Sequence, residues 1–468
     1  MTQETAAEIS IVVRASSPRV VVRAFRRVAA ATGLHFRQAA GLAAALLCVP
    51  VLAGPVVVLD EQLRARTVDL VRIAGERGML TYREIRPVAS SEPAPDKYLP
   101  LSRVLAIIEC EAWTAESGAR REWRSESWRA QTIAERAGLG LLELVDGTRI
   151  VGSLDAGLAE ETADSVAWAH RTIGEMLVNL ERVVRVRMDG PAAETGAATL
   201  DPTRDAVLLA NDDAILGFVE RIGAEVWTRP SAQGPPVKTP MSRVREVRLA
   251  NPPAPPSGGL AWLSDGSIIA VESATLTVTA SEAGPVLTAR VRDSAEKKPL
   301  ALGVVRALLP DAGRVCVLAR EPIMAQQPAV GRIYWRPATV RQDADAPLWL
   351  TDIELPGPMS VEWALPARAE HFAGWLVLAE GAREWGDCVV TVEVVEGGSA
   401  GATRELARTR LTGAEPSVRL SAGLNRDPKA STARAPAARL RIRVEPGERG
   451  PIQDRVIIRN MIIGLSAR

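Results

Sequence analysis

Lysine, histidine and cysteine are all scarce in this chain, and its rings are mostly tryptophan. Lys97, Lys238, Lys297, Lys298 and Lys429 are the lysines, so nearly all positive charge is arginine, as codon bias in a GC-rich genome produces. The 57 basic residues face 56 acidic ones, a formal net charge of +1. That balance lacks the basic excess that nucleic-acid binders concentrate on one surface. The histidines are His35, His170 and His371, far apart, and no Cys-x-x-Cys pair accompanies them. A zinc site therefore has too few ligands to draw on. No P-loop and no complete G-x-G-x-x-G occurs, so no nucleotide or other cofactor is expected. Long polar tracts are missing too. With 47% apolar residues the chain can fill real cores, and its length corresponds to about three domains.

Residues 14–37 carry several arginines and no acid, and residues 39–53 are an apolar run. Val51-Leu52-Ala53 put small or modest side chains where a signal peptidase reads, which predicts a signal helix over 1–53, a mature chain from Gly54, and export. An uncleaved anchor is the alternative, since about 20 apolar residues suffice to span a bilayer, although Pro50 and Pro55 interrupt that stretch. Cleavage removes Cys48 and leaves Cys110, Cys316 and Cys388. An odd number leaves at least one thiol unpaired or intermolecular. Cys316 and Cys388 fall in one predicted domain, where a disulfide and two separate buried thiols both stay open.

A pair of motifs recurs. The first is a strand, a turn and a second strand: Leu144-Val145-Asp146-Gly147-Thr148-Arg149-Ile150, then Leu209-Ala210-Asn211-Asp212-Asp213-Ala214-Ile215, then Trp262-Leu263-Ser264-Asp265-Gly266-Ser267-Ile268, with a weaker copy at Val58-Leu59-Asp60-Glu61-Gln62-Leu63. Asp-Gly is a tight-turn signal because the turn needs positive φ. The second motif is Leu101-Ser102-Arg103-Val104, repeated as Leu180-Glu181-Arg182-Val183, Met241-Ser242-Arg243-Val244 and Leu302-Gly303-Val304-Val305. It has the pattern of a short helical turn running into a strand. Hairpin, middle strands, turn and final strand is the order of a small SH3-like or Sm-like β-barrel, and the pattern resembles barrel repeats of exported bacterial proteins. Barrels are predicted over 54–114, 139–190, 203–251 and 258–310, with a polar, arginine-rich insert at 115–138 and a stiff proline-rich spacer at 251–259.

Beyond residue 311 alternating stretches follow one another, which predicts a two-sheet β-sandwich or jelly roll over 311–468. The fold class expected is mainly β: tandem small SH3-like barrels and then a sandwich. Ser360-Val361-Glu362-Trp363, Phe372-Ala373-Gly374-Trp375-Leu376, Asp387-Cys388-Val389-Val390-Thr391-Val392 and a late Asp454 follow one another in an order that resembles the NPCBM family of carbohydrate-binding modules. The resemblance covers the final third of the chain and implies a galactose-binding-like sandwich and sugar binding. The family's Gly-Asp-Gly hairpin is replaced here by Glu396-Gly397-Gly398.

Enzyme signatures do not assemble. Gly397-Gly398-Ser399-Ala400-Gly401 fits G-x-S-x-G, yet no histidine follows Ser399, as an α/β-hydrolase requires. Asp343, Asp345 and Asp352 have alternate spacing that suits calcium, but a solvated loop explains them better, so no metal is expected. Tryptophan offers sugar rings a flat apolar face and equally suits sandwich cores. Trp363 and Trp375 lie within strand patterns and are expected in the core. Trp335 and Trp385 sit nearer loops, and with Glu384 and Asp387 they are the candidate ligand-binding residues. The sequence thus points to a non-catalytic exported protein, periplasmic, surface-bound or extracellular. It would bind a polysaccharide or an envelope protein through the sandwich, with the barrel repeats as interaction modules. A structural assembly protein and a glycoside hydrolase without a recognisable motif are the alternatives.

Overall fold

The two recurring motifs are hydrogen-bonded to each other. The computed structural model describes residues 56–85, 94–109, 138–155, 164–188, 203–279, 286–293, 297–329, 335–341, 346–396, 402–424, 438–451 and 453–467. The signal segment, Cys110, the arginine-rich insert up to residue 137, Asp343, Asp345 and Ser399 lie outside the described residues. Four hairpins open four successive units: Val56–Asp60 with Ala65–Ala74, Gly140–Leu144 with Arg149–Leu154, Asp205–Leu209 with Ala214–Ile222, and Gly259–Leu263 with Ile268–Val271. At each turn an Asp or Asn side chain accepts a backbone N–H two residues on: Asp60 from Gln62, Asp146 from Thr148, Asn211 from Asp213, and Asp265 from Ser267. Such Asx turns hold the reversal locally. Gly147 and Gly266 follow the aspartate at φ +81° and +80°, which glycine adopts without strain.

The second motif is a 3-10 turn in each unit, at Leu101–Arg103, Leu180–Arg182, Met241–Arg243 and Leu302–Val304. A final strand follows each turn: Val104–Glu109, Val183–Arg187, Val244–Arg248 and Val305–Leu309. The last carbonyl of each 3-10 turn accepts an N–H from the hairpin turn of its own unit. Arg103 accepts from Glu61, Arg182 from Val145, Arg243 from Ala210 and Val304 from Ser264, at 2.7 to 2.9 Å. Val104, Val183 and Val244, the first residues of their final strands, are buried in a shared apolar core with Leu142, Ile150, Trp168 and Val226.

Within each unit the final strand returns to pair with the first, yet no unit closes fully into a barrel among the described residues. Among the described residues no ladder joins the fourth strand of a unit to its fifth. The 3-10 turn lifts the chain off the sheet there, and the outer edge of the final strand is taken by another unit. Val104–Glu109 pairs with Val305–Leu309, placing Ile108 opposite Ala307. Val183–Arg187 pairs with Val244–Arg248, placing Val186 opposite Val247. A pairing of Ile268 with Arg149 joins the fourth unit to the second. The ladder therefore runs through units one, four, two and three within a 21-stranded antiparallel system. The proline-rich stretch at 251–259 is not a free spacer either. Asn251 Nδ2 donates to the carbonyls of Leu180 and Val183, and Ala254 N–H donates to Val145, which lays the stretch along the second unit.

The C-terminal part is a two-sheet sandwich. One sheet holds Val315–Val317, Thr339–Val340, Ile353–Pro356, Ala369–Leu378, Ser417–Gly423 and Arg455–Leu465. The other runs Ile323–Pro328, Met359–Ala364, Arg439–Pro446, Asp387–Val395 and Thr403–Thr412 in spatial order. Period-two alternation decides which side chains enter: Leu440, Ile442 and Val444 are buried, and Arg439, Arg441 and Arg443 face out. Trp363 is fully buried as expected, whereas Trp375 is only half-buried. A separate apolar layer fuses the sandwich to the repeats. Leu59, Leu105, Leu260 and Trp262 pack there with Val317, Leu348, Ala373 and Ile462. The rings of Trp262 and Trp349 meet edge to face with centroids 4.8 Å apart.

Candidate functional site

Strand register gathers one set of loops at one end of the sandwich. In the first sheet Pro356 lies opposite Arg455, and Leu378 opposite Val456. In the second, Asp387 lies opposite Thr412, Cys388 opposite Pro446, and Pro328 opposite Met359. The residues leaving these positions, at 335–338, 379–386, 447–451 and 453–454, therefore share that end. A cleft of about 780 Å³ opens there. Trp335, Arg336, Glu354, Gln453, Asp454 and Arg455 line it. Trp335 is 39% exposed. Glu354 and Arg455 form an ion pair across the wall, with Arg455 Nε donating to Oε1 at 3.0 Å. A flat indole beside fixed carboxylate and guanidinium groups is the ordinary make-up of a site that stacks on a sugar ring and hydrogen-bonds its hydroxyls.

The sequence-derived candidates separate. Trp385 is 53% exposed and Glu384 is exposed beside it, both just after the 3-10 turn Glu380–Ala382. Asp387 sits apart from these two exposed side chains, inside the structure. It is buried, and Arg410 grips its carboxylate through Nε at 2.7 Å and Nη2 at 2.8 Å, while Arg449 N–H donates at 3.2 Å. The hydrogen bond from Arg410 is the main cause holding the Asp387 carboxyl below its usual pKa. Arg336, Glu354, Gln453 and Arg455 escaped the sequence argument. For Gln453 and Arg455 the one signal is the turn-rich Glu445-Pro446-Gly447-Glu448-Arg449-Gly450-Pro451 between the last two strands.

Of the two alternatives open for Cys316 and Cys388, the structure has the separate thiols. Both thiols are free and buried, Cys316 on a strand of the first sheet and Cys388 on a strand of the second. Cys316 Sγ donates to Glu321 at 3.3 Å. Burial pushes the Cys388 thiol up to about 12 and raises Cys316 as well. Asp352, from the calcium candidates, pairs with Arg459 at 3.2 Å. Among the described residues no group of three or more His, Cys, Asp or Glu side chains is placed to hold a metal.

Two other places invite a functional interpretation. His170, Asp265 and Ser267 meet where the second and fourth units join. His170 Nε2 lies 2.9 Å from Asp265 Oδ2 and 3.2 Å from Ser267 Oγ, and Nδ1 accepts the N–H groups of Thr172 and Ile173. Burial pushes the Asp265 carboxyl up, but the hydrogen bonds from His170 and Ser267 outweigh it and hold the group below its usual value. A hydrolytic triad needs its carboxylate on one ring nitrogen and its serine on the other. Here both share Nε2 and the histidine is buried, so the cluster fastens a seam. A cleft of about 1110 Å³ lies against the third unit, with Phe218 65% exposed. Its tryptophan, Trp227, has Lys238 4.1 Å and Arg221 5.6 Å from its ring centroid, so cations already occupy that ring. Among the described residues no cation stands over Trp335 or Trp385.

No protein-family model matches the chain, and no curated protein does. Several solved structures that share a part of its shape are carbohydrate-binding modules. A CBM51 module with an INT domain from Clostridium perfringens ZmpB is 10% identical, covering 42% of this chain and 44% of that one, with a TM-score of 0.24. This chain thus spans less than half of that structure. A CBM51 from Clostridium perfringens GH95, solved with methyl-galactose, is 9% identical over 32% of this chain and 99% of that one, with a TM-score of 0.23. The CBM22-1–CBM22-2 tandem domain of Paenibacillus barcinonensis Xyn10C is 10% identical over 68% and 91%, with a TM-score of 0.20. At these scores the likeness carries no functional weight.

Proposed function

We propose that this chain is a non-catalytic, exported glycan-binding protein of the cell envelope or exterior, and that it takes its ligand in the Trp335 cleft. The observation that carries the proposal is the cleft itself: an open indole face with Arg336, Gln453 and the Glu354–Arg455 pair around it. The predicted signal segment supports export. The fused repeats serve as the rigid base that presents the sandwich and as contact surface for envelope partners. The test is a glycan array followed by calorimetric titration with the full chain. Wild type should bind, and Trp335→Ala should lose about tenfold or more in affinity while its melting temperature holds, since the ring is partly solvent-exposed. A wild-type chain that binds no glycan, or a Trp335→Ala variant that binds as well as wild type, would sink the proposal.

A further inference from the structure

Trp385 stands apart from the Trp335 cleft but flanks the same loop. The chain between the strands Arg439–Pro446 and Arg455–Leu465 touches both tryptophan sites. Near its start, the Arg449 guanidinium donates to the Glu384 carbonyl, next to Trp385, at 3.4 Å. At its end, Gln453 and Asp454 line the Trp335 cleft. Arg449 and Gln453 are four residues apart, so even a fully extended chain separates them by no more than about 14 Å.

The first part of this chain, residues 447–450, is held rather than free. Gly447 N–H donates to the Asp387 carbonyl at 2.7 Å, Gly450 N–H closes a turn on Gly447 at 3.2 Å, and the Asp387 carboxylate takes Arg449 N–H and the Arg410 fork. Arg410 in turn holds Glu448 at 3.0 Å. Two exposed indoles on either side of a pinned loop do not suit a single sugar, which covers one ring only. Charge narrows the ligand further. Arg410 is paired with Glu448 and Arg455 with Glu354, while Arg336 and Asp454 line the cleft and Arg449 lies beside Glu384, so neither sign dominates the residues about the two rings. A polyanionic or polycationic chain would find no complementary field there.

Resting on the glycan-binding proposal above, we infer that Trp385 is a second sugar platform and that the ligand is an extended, uncharged polysaccharide reaching from one tryptophan to the other past the turn at 447–451. The test uses the full chain with soluble xylan, mixed-linkage β-glucan and galactomannan, and then with oligosaccharides of two to six units from whichever polymer binds. Affinity should rise about tenfold or more from the shortest to the longest oligosaccharide. Trp385→Ala should abolish that rise and leave the shortest ligand's affinity unchanged, whereas Trp335→Ala should weaken every length. If Trp385→Ala binds the longest ligand as tightly as wild type, or if affinity does not change with length, the second platform is refuted and the Trp335 site stands. If none of the three polymers binds, the extended uncharged ligand is refuted, and a glycan array that shows binding to a short or charged sugar still leaves the Trp335 site in place.

Discussion

At the scale of single residues, the Asp387 carboxylate decides whether the candidate loop is ordered. It accepts from both Arg410 and the Arg449 backbone, and it sits where a side chain on Gly447 would collide with it. Because Arg410 holds its pKa below the usual carboxylate value, the stabilisation is complete above the unfolded-state value of about 3.9 and is lost as pH falls through the lower folded-state value. Asp387→Asn should therefore melt below wild type at neutral pH, and the gap should shrink as acid is added below about pH 4. Calorimetric scans of both proteins across that range check this, and a gap that stays constant with pH would contradict it. The sequence offered Asp387 as a ligand-binding candidate, and the structure shows its carboxylate in the grip of Arg410. Arg410 lies on a different strand, and nothing near Asp387 in the sequence indicates it.

At the scale of elements, each repeat is a hairpin tied back to its own 3-10 turn, and the buried valine after that turn anchors the tie. Val183 is fully buried in the common core. Val183→Asp would put an unpaired charge there and should cost on the order of 3–5 kcal/mol. Arg103→Ala is the control: Arg103 is 44% exposed in a surface pair with Glu61, and its carbonyl bond survives the substitution, so the loss should stay below about 1 kcal/mol. Chemical denaturation of both variants measures the difference, and equal losses would mean that the core does not close on Val183. The same motif position behaves differently one unit later. Arg182 reaches Asp146 at 3.4 Å and also pairs with Asp293 of the fourth unit, a carboxyl that burial pushes up. Two arginines identical in the motif thus have unlike roles, which the motif does not reveal.

At the scale of the whole molecule, the apolar layer around Trp262, Trp349, Leu348 and Ile462 couples the sandwich to the repeats. Arg320 covers the remaining face of Trp349 at 4.1 Å, and Gly147 of the second unit approaches both side chains. Trp262 is 2% exposed, so Trp262→Ala should leave a cavity costing about 3–5 kcal/mol. Residues 53–468 form one compact unit, and we expect one calorimetric transition in wild type and two in Trp262→Ala, as the sandwich and repeats come apart. A wild-type trace that already resolves into independent transitions would show that the layer does not couple them.

The sequence by itself determined what a few adjoining residues can dictate. Asp-Gly pairs set the hairpin turns, the Leu-x-Arg-Val motif set a 3-10 turn running into a strand, and alternation along Arg439–Pro446 set which side chains enter the core. Turn sterics and period-two burial are local, and they survive whatever the chain does elsewhere. Which strand edge meets which was decided only by the tertiary structure. The partner of Val104–Glu109 lies about two hundred residues away, at Val305–Leu309. The N–H and C=O groups along an edge are the same for every sequence, so they cannot name a partner, and the edge left open after local folding takes whatever edge packing brings to it. The open barrels, the separated thiols, the His170 seam and the meeting of Trp335 with Gln453 and Arg455 all follow from that long-range choice.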